Sequence, residues 1–349
     1  MTIRSENGAT SRTLRVGIGG YGLAGKVFHA PLLVSAGFEV AAILTTHDER
    51  IASARNDFPE AKITSTINEL VSEDLDLVVI ASANSVHLSQ ALAAINAGVS
   101  VVVDKPLGLN LAEVEQLAQR SKQSGVGVIP FFNRLWDSDA LTIKQVLNEG
   151  LLGEVFRLDS RFERFRPGRT PRNWREASSA AEGGGLLLDL QPHLISTALD
   201  WFGPATLGYS SVREVRKMSD DDVVVVLNHE SGVDSYLAAS AIIGAPGPRI
   251  RLSGTEGTLL VTELDGQEAA LRDGLMPGAQ GWNPPIASRV TIHRGDEITE
   301  YPAVGGDYGY FYRAVADVLV NGGSWPVSME SALSVTGLLD EARIKNIRA

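Results

Sequence analysis

The position of Lys105 in the sequence suggests a role in chemistry. It follows an apolar run at residues 99–103 and precedes Pro106. A lysine at the carboxyl end of a buried parallel strand faces the crevice in which such sheets bind their ligands. There its ammonium would donate hydrogen bonds to a substrate oxygen, stabilise a developing alkoxide and lower the pKa of neighbouring acids. A structural lysine that pairs with Asp104 is the alternative.

Asp189 and His193 are a second pair with chemical potential. They stand four residues apart, after the triplet Gly183-Gly184-Gly185, so a helix would place both on one face. A carboxylate and an imidazole there orient one another, and the imidazole shuttles a proton at neutral pH. Pro192 favours a helix that begins near Gln191, with Asp189 on the turn before it. A purely structural histidine beside an aspartate is the competing interpretation.

A glycine turn lies upstream, where Gly17, Gly19 and Gly22 fit the spacing G-x-G-x-x-G directly after an apolar strand. Glycines in this pattern allow a tight turn and let the backbone approach a pyrophosphate at the start of the following helix. The strand before the turn and the helix after it predict a dinucleotide site, with Tyr21 and Leu23 in the same turn.

The end of the second predicted strand indicates which dinucleotide is bound. NAD-binding versions place an acidic residue there to bind the ribose hydroxyls. Here Thr45, Thr46 and His47 follow the strand, and no carboxylate occurs before Asp48. Hydroxyl groups donate to a 2′-phosphate and Arg50 is within reach of it, so we favour NADP over NAD. A role for Asp48 as a helix cap does not conflict with this.

The region from residue 157 to residue 175 is unusually rich in arginine for an acidic protein. Most of its arginines are predicted to face solvent or a partner subunit. Two of them, Arg166 beside Pro167 and Arg175 beside Trp174, are predicted to bind substrate hydroxyls or a carboxylate. The full set is Arg157, Arg161, Arg164, Arg166, Arg169, Arg172 and Arg175.

The elements that must position these residues change in character near residue 132. Before it, apolar runs at 14–18, 38–44, 75–81, 99–103 and 126–131 alternate with helical patterns such as 87–97 and 111–124. This alternation indicates an α/β Rossmann domain with a doubly wound parallel sheet at residues 13–132, after a disordered tail at 1–12.

After residue 132, a helix at 140–149 precedes β-like segments at 154–165, 207–212, 223–227, 235–241, 250–252 and 258–261. The turn at 254–257 predicts a hairpin. We therefore predict an α+β domain at residues 133–349 with a large open, mostly antiparallel sheet, a long loop at 265–285 and a final helix at 329–347.

The composition narrows the classes of function. The 349 residues suit two domains, and the formal net charge of −11 argues against a nucleic-acid partner. Without cysteine there are no disulfides and no thiolate chemistry. No apolar stretch approaches the roughly 20 residues that span a bilayer, and residues 1–12 are too polar for a signal peptide. We therefore predict a cytoplasmic protein without a membrane partner.

Taken together, these residues resemble the glucose–fructose oxidoreductase/inositol dehydrogenase family. The resemblance covers nearly the whole chain after the tail, and it is most similar to the NADP-dependent scyllo-inositol dehydrogenase branch. The segments that carry it are the glycine turn with residues 20–31, Ser82-Ala83-Asn84-Ser85-Val86-His87, Asp104-Lys105-Pro106, Asn133-Arg134-Leu135-Trp136-Asp137, Arg166-Pro167, Trp174-Arg175, the glycine triplet, Asp189 and His193.

The resemblance implies that Lys105, Asp189 and His193 form the catalytic group. It also implies a metal-independent hydride transfer between C4 of NADP (NAD is possible) and a carbinol carbon of a cyclic polyol or sugar. Further implied cofactor contacts are Ser82, Ala83, Asn84, His87 and Asp104. Further implied substrate contacts are Asn133, Arg166, Trp174 and Arg175. The family's open sheet often forms oligomer contacts, which implies a homodimer or homotetramer.

Three positions depart from the family pattern. The chain has Asp104 where the family usually has Glu, Ala83 where it has Pro, and Gln191 where it has Gly. Gln191 stands between two catalytic candidates and is expected to reshape the substrate pocket. Two other functions therefore stay open: a sugar sensor that binds dinucleotide without turnover, and a reductase of a non-sugar carbonyl or dihydrodiol.

Overall fold

The structure is a computed structural model that describes residues 12–168, 178–179, 182–217, 219–282 and 289–345. All of the predicted tail except Arg12 lies outside the described residues. Two predicted substrate contacts, Trp174 and Arg175, also lie outside them.

The first half of the chain forms a six-stranded parallel sheet in the order β3-β2-β1-β4-β5-β6. The order reverses between β1 and β4, and this is the switch point at which doubly wound sheets bind ligands. The predicted Rossmann sheet is confirmed, although the short strand β3 was not predicted. The strands are β1 (Arg15–Gly19), β2 (Glu39–Leu44), β3 (Lys62–Thr64), β4 (Leu77–Ile80), β5 (Ser100–Val103) and β6 (Val128–Pro130).

Helices cover both faces of this sheet, and α5 shows how local sequence sets their ends. Its first turn is capped by the Asn110 side chain, which accepts the Glu113 N–H at 3.0 Å, and it ends at Gly125 with a φ of +71°. A π-helical segment at Ala24–His29 runs into α1 (Ala30–Ser35). The other helices are α2 (Asp48–Asp57), α3 (Ile67–Val71), α4 (His87–Asn96) and α5 (Leu111–Ser124).

The second half forms an eight-stranded sheet in the order β14-β13-β12-β11-β7-β10-β9-β8. Only β7 and β10 pair in parallel, so the predicted mostly antiparallel sheet is confirmed, as is the hairpin at Gly254 and Gly257. The strands are β7 (Val155–Glu163), β8 (Ala205–Arg213), β9 (Asp222–His229), β10 (Asp234–Ser240), β11 (Ile250–Gly254), β12 (Gly257–Val261), β13 (Val290–Arg294) and β14 (Glu297–Tyr301).

Among the described residues, six helices accompany this sheet. Two of them were not predicted: α9 (Gln267–Arg272) forms inside the expected loop at 265–285, where Ala270 and Leu271 are buried, and α10 (Gly309–Asn321) buries Phe311 and Tyr312. The strands β13 and β14 were not predicted either. The helices are α6 (Ser138–Asn148), α7 (Leu186–Asp189), α8 (Gln191–Phe202), α9 (Gln267–Arg272), α10 (Gly309–Asn321) and α11 (Met329–Ile344).

A shared apolar core joins the two sheets. One hydrophobic cluster runs from Val16 and Ile129 of the parallel sheet to Leu158 and Leu237 of the open sheet. Helix α11 packs against both α5 and α8, so it bridges the two halves. Because the halves are packed together, side chains from both are held in fixed relation at the edge between them. Within the described ranges, no helix is both long and apolar enough to cross a bilayer.

Candidate functional site

Lys105 and Asp189 meet where the two halves of the fold come together. Lys105 lies just beyond the carboxyl end of β5, and Asp189 ends the single turn α7. The lysine Nζ donates to the carboxylate Oδ1 and to the carbonyl oxygen of Asp189, each at 2.6 Å. The two side chains are 13% and 19% exposed. The ammonium therefore pairs with Asp189 rather than with Asp104, whose Oδ1 instead accepts the Lys105 backbone N–H at 2.8 Å.

His193 lies in the first turn of α8, which begins at Gln191 as Pro192 predicted. The ring is buried, and its Nδ1 has no hydrogen-bond partner among the described residues. Burial holds the pKa of His193 well below its ordinary value, and the charges of Lys105, Arg134 and Arg249 lower it further. The imidazole is therefore neutral at physiological pH and able to accept a proton.

The buried Arg249 and the partly buried Arg134 both contact an aromatic ring that packs against His193. The Phe162 ring packs edge-on to His193 with centroids 6.5 Å apart. The guanidinium carbons of Arg249 and Arg134 lie 3.9 Å and 4.9 Å from the centroid of the same ring. The predicted substrate contact Asn133 begins the turn that carries Arg134. Sequence reasoning assigned no role to Arg134, Arg249 or Phe162, because their contacts with one another are long-range.

The glycine turn is displaced from its predicted position. Gly17 and Gly19 lie inside β1, so neither forms the turn. The chain leaves the strand at Gly20, which has a φ of +100°, and a Cβ there would lie 2.8 Å from Ser82 N. A Cβ on Gly25 would lie 2.0 Å from the carbonyl oxygen of Gly20. The residues that meet the G-x-G-x-x-G requirements of a tight turn and close helix packing are therefore Gly20, Gly22 and Gly25.

Gly22 has the open surroundings that a pyrophosphate needs. The nearest atoms to a Cβ on this residue would be those of the Arg50 guanidinium, at 3.7 Å. Leu23 follows it on the exposed surface. Tyr21 points the other way: its hydroxyl donates to Asp57 Oδ2 at 2.9 Å and ties the turn to α2. The turn, its open glycine and the following helix fit a bound dinucleotide.

The segment after β2 lies beside this turn. Thr45 is buried, whereas Thr46 and His47 are exposed, and α2 begins at Asp48. The residue before α2 is His47, and no side chain caps that helix, so Asp48 is not the cap that the alternative interpretation required. Arg50 lies in the first turn of α2, next to Gly22.

The loop after β4 contacts both catalytic segments. Asn84 Nδ2 donates to the Gly183 carbonyl oxygen at 2.9 Å, which joins this loop to the glycine triplet. His87 Nδ1 lies 2.8 Å from the carbonyl oxygen of Pro106, directly after Lys105. Ser82 Oγ donates to Gln90, and Ala83 precedes the turn Asn84–Val86. The hydrogen bonds of Asn84 and His87 therefore stabilise this loop against the segments around Lys105 and the glycine triplet.

Two further positions singled out by the sequence, Arg166 and Gln191, bond to the open sheet. Arg166 is exposed, and its backbone N–H donates to the Ala241 carbonyl oxygen at 2.6 Å. Gln191 is buried beneath the open sheet, where its Nε2 donates to the carbonyl oxygen of Leu237 at 3.2 Å. The Gln191 side chain thus bonds to the sheet, and the expectation that this residue reshapes the substrate pocket stays a prediction.

Comparison with known proteins agrees with this architecture. Residues 14–132 match the oxidoreductase family with an NAD-binding Rossmann fold, and residues 140–260 match the GFO/IDH/MocA C-terminal domain. The chain is 32% identical to the scyllo-inositol 2-dehydrogenase (NADP(+)) IolW of Bacillus subtilis, over 95% of this chain and 93% of that protein. It is 34% identical to the oxidoreductase YdgJ of Escherichia coli, over 95% of both chains. The structure of the oxidoreductase YvaA from Bacillus subtilis superposes with a TM-score of 0.87 at 31% identity, over 96% of both chains.

Proposed function

Because the chain belongs to the GFO/IDH/MocA family of NAD(P)-binding oxidoreductases, we propose that it is an NADP-dependent dehydrogenase of cyclic polyols or sugars. The observation that supports this proposal most directly is the contact of Lys105 with Asp189, together with a neutral His193. Oxidation of a carbinol removes a proton from oxygen and a hydride from carbon. A neutral imidazole can accept the proton, and a cation can stabilise the negative charge that develops on the oxygen.

The assignment of roles follows from the hydrogen-bonding capacity of each group. A lysine ammonium has three donors, and two of those on Lys105 are taken by Asp189. The third is left for the substrate oxygen, whose developing negative charge it stabilises. His193 Nδ1 is buried, so Nε2 is the atom that takes the hydroxyl proton. Bound NADP supplies the hydride acceptor, while this chain supplies position and charge.

The proposed preference for NADP rests on the segment after β2. Thr45, Thr46 and His47 precede the first carboxylate, and the Arg50 guanidinium lies beside the open Gly22. We expect Arg50→Ala to raise the KM for NADP and to leave the KM for NAD almost unchanged, because only NADP carries the 2′-phosphate. Arg55→Ala, an exposed arginine at the other end of α2, is the matched control. A higher specificity constant of the wild-type protein for NAD than for NADP would contradict the preference.

The substrate class is tested by screening inositols, aldoses and aromatic diols with NADP and with NAD, following the absorbance of the reduced nicotinamide. Turnover is expected with a cyclic polyol or a sugar and NADP. Turnover confined to aromatic diols would replace this substrate class with a dihydrodiol. Tight cofactor binding without turnover of any compound would replace the enzyme with a sensor.

We also propose that the chain forms a homodimer or homotetramer through the outer face of its open sheet. Strand alternation sends Tyr209, Val226 and Tyr236 outward in one row across β8, β9 and β10. Arg157 and Asp159 form an ion pair next to this row. An apolar row beside paired charges is typical of a subunit interface. Light scattering is expected to show an oligomer that Val226→Glu dissociates, and a monomeric wild-type protein would refute the proposal.

A further inference from the structure

A buried carboxylate outside the catalytic group contacts the turn that carries Asp189. Asp220 lies in the loop between β8 and β9 and is only 4% exposed. Its Oδ2 accepts the backbone N–H of Leu187 at 2.6 Å, and its main-chain carbonyl oxygen accepts the N–H of Leu186 at 3.0 Å. Asp220 therefore holds two successive N–H groups at the start of α7.

Gly185 makes this approach possible. It has a φ of +92°, and a Cβ built on it would lie 1.9 Å from Asp220 Oδ1. No residue with a side chain fits there without displacing the carboxylate. The third glycine of the triplet thus leaves room for Asp220, and the first leaves room for Asn84, whose Cβ would lie 2.7 Å from a Cβ on Gly183.

The contacts continue from Asp220 to Lys105. Helix α7 is a single turn, and an isolated turn is not stable by itself, because fixing its backbone costs more than its few hydrogen bonds return. Among the described residues, its helical bonds run from the Asp189 N–H to the Gly185 carbonyl oxygen at 3.1 Å and from the Leu190 N–H to the Leu186 carbonyl oxygen at 2.9 Å. The orientation of Asp189 therefore depends on what holds the start of the turn.

We propose that Asp220 is a positioning residue that fixes Asp189, and through it the ammonium of Lys105, by binding the start of α7. The catalytic consequence rests on the proposed function, whereas the effect on the Lys105 ammonium does not. In Asp220→Ala, the Leu187 N–H loses its acceptor, α7 loosens, and the bond between Lys105 and Asp189 is lost.

Competitive labelling of lysines with an amine-reactive ester, quantified by mass spectrometry, tests this without any substrate. The Lys105 ammonium donates two hydrogen bonds to Asp189, and a nitrogen held in this way is hindered from attacking the ester. We expect Lys105 to be labelled several-fold faster than in the wild-type protein, and to the same extent, in both Asp189→Ala and Asp220→Ala. Asp220→Asn keeps an oxygen acceptor for Leu187 and is expected to be labelled at the wild-type rate.

Lys62 is the internal control, since it has an ion pair of the same 2.6 Å length with Glu73 and lies on β3, at the edge of the parallel sheet. If Asp220→Ala does not fold, Asp220→Ser takes its place, because the serine hydroxyl is too short to reach Leu187. A wild-type labelling rate at Lys105 in the folded variant would overturn the proposal. An equal increase in the labelling rate of Lys62 would also overturn the proposal, because it would show that the substitution loosens the whole fold.

Turnover gives a second and separate readout. Asp220→Ala is expected to lower kcat about tenfold, the lower end of what loss of a supporting contact costs. In the background of Asp189→Ala the same substitution is expected to add nothing, because its effect passes through Asp189. An equal loss of kcat in both backgrounds would show a general structural role. If no substrate is found, the proposed function fails while the labelling result still decides the role of Asp220.

Discussion

Replacing Asp104 by glutamate is expected to stabilise the protein through a histidine that is not fully hydrogen-bonded. His29 is 0% exposed, and its Nδ1 lies 2.6 Å from the hydroxyl of Tyr312. Burial raises the pKa of Tyr312 well above its ordinary value, so the hydroxyl keeps its proton and donates to Nδ1. The ring proton is then assigned to Nε2, which has no hydrogen-bond partner in the described part of the chain and lies 3.9 Å from Asp104 Oδ2.

The size of the effect follows from this gap. An N–H···O bond has a length of about 2.9 Å, so the carboxylate of Asp104 is about 1 Å too far away. One added C–C bond of about 1.5 Å closes the gap. A hydrogen bond to a charged group contributes about 1.5–3 kcal/mol. The extra methylene costs about 1 kcal/mol or more in a packed core, so we expect Asp104→Glu to raise the free energy of unfolding by about 1 kcal/mol.

Urea unfolding of a double-mutant cycle measures this directly. Asp104→Glu is expected to raise the midpoint in the wild-type background and to have no stabilising effect with His29→Phe, which puts a phenyl ring in place of the imidazole and removes the donor. A lower midpoint for Asp104→Glu, or the same gain in both backgrounds, would show that no hydrogen bond forms between the introduced glutamate and His29.

Three further predictions follow from the site. Lys105→Met should reduce turnover by about 10² or more and leave the dissociation constant of NADP, measured by fluorescence, nearly unchanged. Because the pKa of His193 is lowered in the folded protein, kcat/KM for oxidation should stay constant as the pH falls through 6.5, the ordinary pKa of histidine, and decline only below it. Lys105→Met removes a neighbouring cation that lowers this pKa, so in that variant the decline should begin at a higher pH. Gly22→Ala should fold normally yet bind NADP weakly, whereas Gly25→Ala, with its Cβ 2.0 Å from a carbonyl oxygen, should lower the thermal midpoint. Wild-type NADP affinity in Gly22→Ala would contradict the reassigned turn.

Sequence patterns predicted the elements whose signals are local. Helix α5 was predicted at its observed bounds from its helical periodicity, and in the structure Asn110 and Gly125 mark its two ends. The start of α8 was predicted because proline is accepted in a first turn and not later. Strand β3 was missed because it has only three residues, one of them an exposed lysine.

The glycine turn was misplaced because five glycines, Gly17, Gly19, Gly20, Gly22 and Gly25, fit the same motif in two overlapping frames. Only the end of β1 separates those frames, and strand ends are poorly determined by sequence.

Contacts between distant segments were beyond prediction. The carboxylate of Asp220 and the N–H of Leu187 are 33 residues apart, and Arg249 and Ser160 are 89 apart. Nothing in the local sequence indicates which side chain a buried charge will meet, because the fold as a whole brings them together. The three catalytic candidates were identifiable because each stands next to a strand end, a proline or a glycine turn.

The most direct test of the proposed hydride transfer uses inositols that carry deuterium on carbon. The protein is incubated with NADP and each deuterated inositol, and the mass of the reduced cofactor is measured for the wild-type protein and for His193→Ala. The wild-type protein is expected to form a reduced cofactor heavier by one deuterium, and His193→Ala is expected to form almost none. Reduced cofactor without deuterium, or equal formation by His193→Ala, would contradict the proposed hydride transfer.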